Sequence, residues 1–192
     1  VDEELTTNEF TCAYTCEVLQ NGQTVRIPFG SPVYSGDKYS LTITGNEIKY
    51  LVNPNEVWKN SEHAFCGQNL WAVYRCYLNV PYLWGGKSVF GIDCSGFVQQ
   101  VFKMLDKKLL RDAWLQAEQG DPVHQLSESK EGDLAFFRNE DGRVIHVGII
   151  LEDNRIVHAS GKVRIDRITK EGIVNVETGN RTHQLHSIRR YF

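Results

Sequence analysis

The stretch Trp84-Gly85-Gly86-Lys87-Ser88-Val89-Phe90-Gly91-Ile92-Asp93-Cys94-Ser95-Gly96-Phe97-Val98 decides the fold. A glycine-rich approach leads to a cysteine, and an apolar-periodic segment follows at once. Val98, Val101, Phe102 and Leu105 recur at i, i+3, i+4 and i+7, which marks one face of a helix. Asp93 is of the residue type that caps helix N-termini, so Cys94 falls in the first turn. There the macrodipole favours an anion, which predicts a lowered thiol pKa. A cysteine so placed needs a base. His146 sits in the strand-like run Val144 to Leu151, and His158 in a second run, Arg155 to Ser160. Cysteine on a helix, histidine on a strand and a polar orienter on the next strand is an arrangement suited to cysteine-dependent hydrolysis.

The 192-residue chain is long enough for one large domain or two small ones. Its apolar and charged fractions, 41% and 23%, are those of ordinary globular proteins. A net charge of −3 gives no sign of a nucleic-acid partner. No run approaches the roughly 18 apolar residues of a membrane-spanning helix. Val1-Asp2-Glu3-Glu4-Leu5 does not read as a signal peptide, so the leader of an exported protein would have been removed or would lie outside this sequence.

The cysteines outside the central stretch are ambiguous. Cys12 and Cys16, read within one strand over 11–20, would be about 13 Å apart, beyond disulfide reach. Cys66 and Cys76 would be about 15 Å apart along one helix. The four are therefore expected to be buried free thiols, with cross-pairing between segments left open. No CxxC or His/Cys cluster has zinc spacing, and no metal or cofactor is expected.

Taken in order, residues 11–20, the turn Asn21-Gly22 and Thr24 to Ile27 read as a hairpin. Pro28-Phe29-Gly30-Ser31-Pro32 breaks the chain. Tyr39 to Thr44 and Ile48 to Val52 read as short strands around Gly45-Asn46, and Pro54 to Glu62 as a linker. From His63 to Asn79, Leu70, Val73, Tyr74 and Tyr77 suit an amphipathic helix ended by Pro81. Arg111 to Gly120 reads as a second short helix. Strands follow at Leu134 to Phe137, Val144 to Leu151, Arg155 to Ala159, Val163 to Ile168 and His183 to Tyr191. Helices first and an antiparallel sheet afterwards give an α+β class.

Five blocks, in order, carry a resemblance: Pro81-Tyr82-Leu83-Trp84-Gly85-Gly86, Asp93-Cys94-Ser95-Gly96-Phe97, Gly132-Asp133-Leu134-Ala135-Phe136-Phe137, His146-Val147-Gly148-Ile149 and Ile156-Val157-His158-Ala159-Ser160. From about Cys66 onward the chain resembles the NlpC/P60 family of cell-wall cysteine peptidases. The resemblance implies a papain-like catalytic domain over 61–192. The segment 1–60 resembles the bacterial SH3-like barrels that often precede such domains, best in Val25-Arg26-Ile27-Pro28-Phe29-Gly30. At about 55 residues that segment would be marginal alone. It would either shape one wall of the substrate cleft or serve as a stabilising, spacing module.

The resemblance implies Cys94 as nucleophile, His146 as general base and His158 as its orienter. It also matches Tyr82 to a tyrosine beside the cysteine, which either donates to the oxyanion together with the free N–H groups at the helix start or serves as a packing aromatic, and Trp84 to a wall of the pocket. Asp93 and Ser95 flank the nucleophile, Asp93 as either a peptide-backbone contact or a simple helix cap. The family cleaves the γ-D-glutamyl bond to a diamino acid in peptidoglycan stem peptides. A subset with SH3-like domains prefers free peptides starting L-Ala-γ-D-Glu and carries an Arg-Asp-Ser phrase. Here the phrase is Arg111-Asp112-Ala113. Asp112 is thereby a candidate for the substrate amine or glutamyl group, and Arg111 for the glutamyl α-carboxylate or a structural carbonyl. Ala113 lacks the hydroxyl. Further amine-binding acids would come from Glu17, Asp37, Glu47 or Glu56. His63, His124, His183 and His186 have no such context and read as solvated or structural.

These readings make the chain a monomeric γ-D-glutamyl–diamino acid endopeptidase of the periplasm or cell envelope, or of the cytoplasm if it recycles wall fragments. The alternatives are a cysteine amidase or acyltransferase on the same fold, and a non-catalytic wall-binding module.

Overall fold

The structure, a computed structural model, describes residues 9–20, 23–35, 39–40, 55 and 57–192. The chain forms two compact units, one of Val1–Ala64 with Met104–Asp106, the other of Phe65–Lys103 with Lys107–Phe192.

In the first unit, β1 (Glu9–Thr11) pairs with β6 (Val57–Lys59), β2 (Thr15–Gln20) with β3 (Gln23–Pro28), and β4 (Tyr34–Ser35) with β5 (Tyr39–Ser40). The Gln20↔Gln23 register brings together the strands flanking Asn21-Gly22, as the hairpin signal requires. The turn itself, and the strands expected over 41–44 and 48–52, lie outside the described residues. Two expectations are corrected here. The run 11–20 is not one strand, because the chain bends at 12–14 between β1 and β2. Pro54 to Glu62 is not a bare linker, because β6 lies within it and sets Trp58 opposite Phe10. The barrel reading of this unit is not established by these three strand pairs.

The second unit opens with α1 (Gly67–Tyr74), capped by the Cys66 thiol, which accepts from the Asn69 N–H at 3.4 Å. Leu70, Val73, Tyr74 and Tyr77 are its buried side chains, as their spacing predicts. The α-helix is shorter than expected. It tightens into a 3-10 turn over Arg75–Tyr77, and Asn79 then takes a left-handed φ of 67°. Cys66 is exposed and Cys76 half-buried, so the expected burial of these thiols does not hold; no disulfide joins them.

A small hairpin, β7 (Lys87–Ser88) and β8 (Gly91–Ile92), leads into α2 (Cys94–Met104). Gly91 is required there: a Cβ would lie 2.8 Å from the Leu83 side chain. Phe97, Val98, Val101 and Phe102 of α2 are fully buried. Each such side chain contributes roughly 1.5–3 kcal/mol. The second short helix is only α3 (Ala113–Gln116), after which Gly120 turns the chain with φ 71°.

Seven antiparallel strands follow: β9 (Asp121–Val123), β10 (Leu134–Arg138), β11 (Val144–Leu151), β12 (Arg155–Ser160), β13 (Lys162–Thr169), β14 (Gly172–Val174) and β15 (Arg181–Arg190). They run in that order from β10 to β15, and β15 also pairs with β10 and with β9. The sheet therefore closes into a barrel of β10 to β15. Ala135, Phe137, Ile150, Ile156, Ile168, Ile173 and Ile188 form a core cluster on one face. Leu134, Phe136, Val147 and Ile149 are equally buried on the alternate face. β9 and β14 are too short to register as strands in the sequence. Among the described residues no helix is long and apolar enough to cross a membrane.

Candidate active site

Asp93 caps α2 by accepting the Gly96 N–H at 2.6 Å, which fixes Cys94 as the first helical residue. The same carboxylate accepts the Gly85 N–H at 2.9 Å, tying the glycine-rich turn to the helix start. Arg111 grips it bidentately, from Nη2 to Oδ2 at 2.6 Å and from Nη1 to Oδ1 at 3.1 Å, and also donates to Ser95 Oγ at 2.9 Å. Asp93, Ser95 and Arg111 thus form one braced network behind the thiol. Asp112 is exposed and precedes α3 without capping it through its side chain. Ala113 is buried. Tyr82 is half-buried, and its hydroxyl is pushed up by burial and then by the charges of Cys94 and Asp93. Trp84 is 86% exposed on the turn before Gly85. Glu17 pairs with Arg26 at 3.2 Å, while Asp37, Glu47 and Glu56 lie outside the described residues.

Cys94 is only 6% exposed. Burial pushes its thiol up and the Asp93 charge adds to this, against N–H groups of Val147, Ser95 and Cys94 itself. The lowered thiol pKa expected from the helix terminus is therefore reversed in the resting site, because desolvation outweighs the helix amides. The Val147 N–H on the sulfur brings Cys94 against β11 one residue from His146.

His146 and His158 meet because of the sheet register. Gly148 lies opposite His158, so His146, two residues earlier, is the diagonal neighbour on the same face. Gly148 leaves the space: a Cβ there would lie 2.9 Å from His158 Cβ and 2.8 Å from Ile156 Cδ1. His146 Nε2 is 2.8 Å from His158 Nδ1, and His158 Nε2 is 3.0 Å from Asp166 Oδ2. Asp166 also pairs with Arg164, accepting from its Nη2 at 3.0 Å, and accepts the Val176 N–H at 2.9 Å. Burial raises the Asp166 pKa, but the hydrogen bond to His158, the Val176 N–H and Arg164 outweigh it and bring it down to about 2.

The ionised carboxylate assigns the tautomers. Asp166 can only accept, so His158 Nε2 carries the proton and His158 Nδ1 accepts. His146 Nε2 must then donate to it. His146 Nδ1 is left bare, and it is the nitrogen free to take the proton of Cys94. Burial, then His183, then His158 hold His146 well below its usual pKa. Passing the proton from Cys94 to His146 makes both charges together, and their attraction offsets the desolvation.

Sequence reading missed three members of this cluster. Asp166 and Arg164 alternate along β13 on the face that carries His158, with Arg164 directly opposite His158. Two charged residues at i and i+2 beside a catalytic-candidate histidine were the available signal. His183, read as solvated or structural, stacks on His146 with ring centroids 4.2 Å apart and planes 25° apart. It arrives from β15, through barrel closure that no local pattern announces. Burial, then the charge of His158, lower it to about 4. Despite three neighbouring imidazoles, no three His, Cys, Asp or Glu side chains among the described residues converge as metal ligands.

A braced thiol at a helix N-terminus, against the strand whose imidazole is held by a second imidazole and a carboxylate, is a site fitted for nucleophilic acyl transfer. A sequence profile described as the NlpC/P60 family matches residues 79–182, more than half of the chain, and the chain belongs to that family. It is 44% identical over 85 residues to a gamma-D-glutamyl-L-lysine dipeptidyl-peptidase of Bacillus subtilis, spanning 43% of this chain and 28% of that protein. It is 36% identical over 156 residues to dipeptidyl-peptidase 6 of Lysinibacillus sphaericus, spanning 74% of this chain and 55% of that protein. The chain thus spans between about a quarter and just over half the length of these curated relatives. Its fold is similar to the crystal structure of an NlpC/P60 family protein from Bacillus cereus, with a TM-score of 0.77 and 24% identity over 96% of this chain and 64% of the other.

Proposed function

We propose that the chain is a peptidoglycan hydrolase: a cysteine peptidase that cuts the γ-D-glutamyl–diamino acid bond of stem peptides, with free L-Ala-γ-D-Glu-diamino acid as substrate. The observation that carries the reading is the unbroken chain from Asp166 through His158 to His146, which leaves Nδ1 bare for Cys94. The names of the relatives, which include a gamma-D-glutamyl-L-lysine dipeptidyl-peptidase, support the substrate class.

In this reading the Cys94 proton passes to His146 Nδ1 and the thiolate attacks the γ-carbonyl carbon. The C=O electrons move to oxygen, which is met by the Cys94 N–H and the Tyr82 hydroxyl. Collapse breaks the C–N bond, and His146 returns the proton to the departing amine, leaving a thioester. Water then attacks, giving its proton to His146; the C–S bond breaks, and the thiolate is reprotonated. His158 and Asp166 move no proton to substrate. They fix the tautomer and stabilise the transient imidazolium.

Arg111 is engaged by Asp93 and Ser95, and this favours a role in bracing the nucleophile over direct capture of the glutamyl carboxylate. Asp112, exposed beside it, is free to meet the substrate amine. The first unit is proposed as an SH3-like module, and the cell envelope as the place of action because the wall is there. An amidase of lipid substrates is disfavoured by the charged network around Cys94.

The test is mass spectrometry of L-Ala-γ-D-Glu-diaminopimelate and its N-acetylated form. Cleavage of the free peptide alone is expected. Cleavage of both would remove the amine requirement and the role of Asp112.

A further inference from the structure

The leaving side of the site follows from proton transfer. The histidine that takes the thiol proton returns it to the departing amine, so that fragment leaves along His146 and not along Tyr82 and Asp93. On the His146 flank lies an open cleft of about 310 Å³. Its lining includes Ile145, the half-exposed neighbour of His146 on β11, and His183, the ring stacked on His146. Arg138, Asn139, Glu140, Arg181, Thr182 and Gln184 complete the polar part.

Arg138 ends β10, and Arg181 begins β15. Among the described residues neither lies within ion-pair distance of a carboxylate, Arg181 acting on Glu171 at longer range, whereas Arg111, Arg164 and Arg190 are each committed to a buried carboxylate. With Glu140 as the one acid, the cleft is cationic by one charge. His183 adds none at neutral pH, because burial keeps it uncharged down to about 4. Exposed guanidinium groups in a cleft that also holds the ring stacked on His146 are suited to a carboxylate on the departing fragment.

We propose that this cleft is the leaving-group subsite, and that Arg138 and Arg181 bind a carboxylate of the departing diamino acid. The proposal rests on the peptidase reading and deepens it. The carboxylate is either the α-carboxylate of a C-terminal diamino acid or the second carboxylate of diaminopimelate.

Three tripeptides separate these sources: L-Ala-γ-D-Glu-L-Lys, its C-terminal amide, and L-Ala-γ-D-Glu-meso-diaminopimelate. kcat/KM is measured for wild type, Arg138→Gln, Arg181→Gln and the double variant, with thermal unfolding to confirm folding; both side chains are exposed. The double variant is expected to lower kcat/KM for the favoured carboxylate substrate about 10- to 100-fold, and to erase its advantage over the amide. If lysine free acid exceeds its amide in wild type, the α-carboxylate is bound. If only diaminopimelate is favoured, the second carboxylate is bound. An equal loss on all three substrates, or an unchanged order of preference in the double variant, overturns the subsite. Cleavage of none of the three by folded wild type overturns the peptidase reading itself, and the subsite with it.

Discussion

Asp166→Asn isolates the far end of the histidine chain. Asp166 is 1% exposed, accepts from His158 at 3.0 Å and pairs with Arg164 at 2.8 Å. Its pKa of about 2, against an ordinary ~3.9, corresponds to roughly 2 to 3 kcal/mol of folded-state stabilisation at neutral pH. Because the folded pKa is depressed, that stability is present above about pH 4 and is lost as pH falls through about 2. The asparagine keeps the shape and removes the charge. If its carbonyl faces His158, the tautomers survive and only a charged hydrogen bond is lost. That costs about 1.5–3 kcal/mol, or roughly 10- to 150-fold in kcat. If its NH2 faces His158, the proton moves to His158 Nδ1, His146 Nε2 must accept, and His146 Nδ1 becomes protonated. The base is then lost, and the fall approaches about 10⁴-fold. The assay is kcat on L-Ala-γ-D-Glu-diaminopimelate beside the rate of Cys94 alkylation by iodoacetamide as a function of pH. Both rates should fall together at neutral pH. A merely structural Asp166 would lower the melting temperature and leave the alkylation profile unmoved. A folded Asp166→Asn protein within twofold of wild type in both rates would refute the tautomer argument.

Other outcomes follow from the same geometry. His183→Phe keeps a ring over His146 but removes a group held at about 4. An unfolded histidine binds its proton near 6.5, so folded stability falls as pH drops from about 6.5 to 4. Urea unfolding should show a shallower fall in the variant, by up to about 1.4 kcal/mol per pH unit, and an unchanged slope would contradict this. Gly148→Ala forces a Cβ into His158 and Ile156, and should cost about 1–3 kcal/mol by thermal melt along with most activity. Asp93→Ala removes the helix cap and leaves Arg111 without its carboxylate, which should cost about 2–4 kcal/mol in chemical denaturation. Tyr82→Phe should lower kcat by roughly tenfold or more with little change in stability, if its hydroxyl meets the oxyanion.

What could be read from the residues was whatever local spacing encodes. The face of α2 and its N-cap are written in Asp93, Val98, Val101, Phe102 and Leu105, and all are buried as that spacing demands. The β10–β11 and β11–β12 hairpins follow from their alternation and turns. The cysteine and the two histidines stood out because each sits in a recognisable block. Asp166 and His183 did not, since their roles depend on strand order: β13 must lie beside β12, and β15 must close on β10. The sign of the Cys94 shift failed for a related reason. The helix terminus is local and legible, whereas the burial that outweighs it is a property of the assembled core. The 3-10 ending of α1 and the two-residue strands β7 and β8 are too short to leave a periodicity.

The most direct test of the central claim is release of free diamino acid from L-Ala-γ-D-Glu-diaminopimelate, followed by mass spectrometry in wild type and Cys94→Ala. Release by the wild type and none by folded Cys94→Ala is the predicted result. Equal release by both would remove Cys94 as the nucleophile and, with it, the mechanism built on its histidine chain.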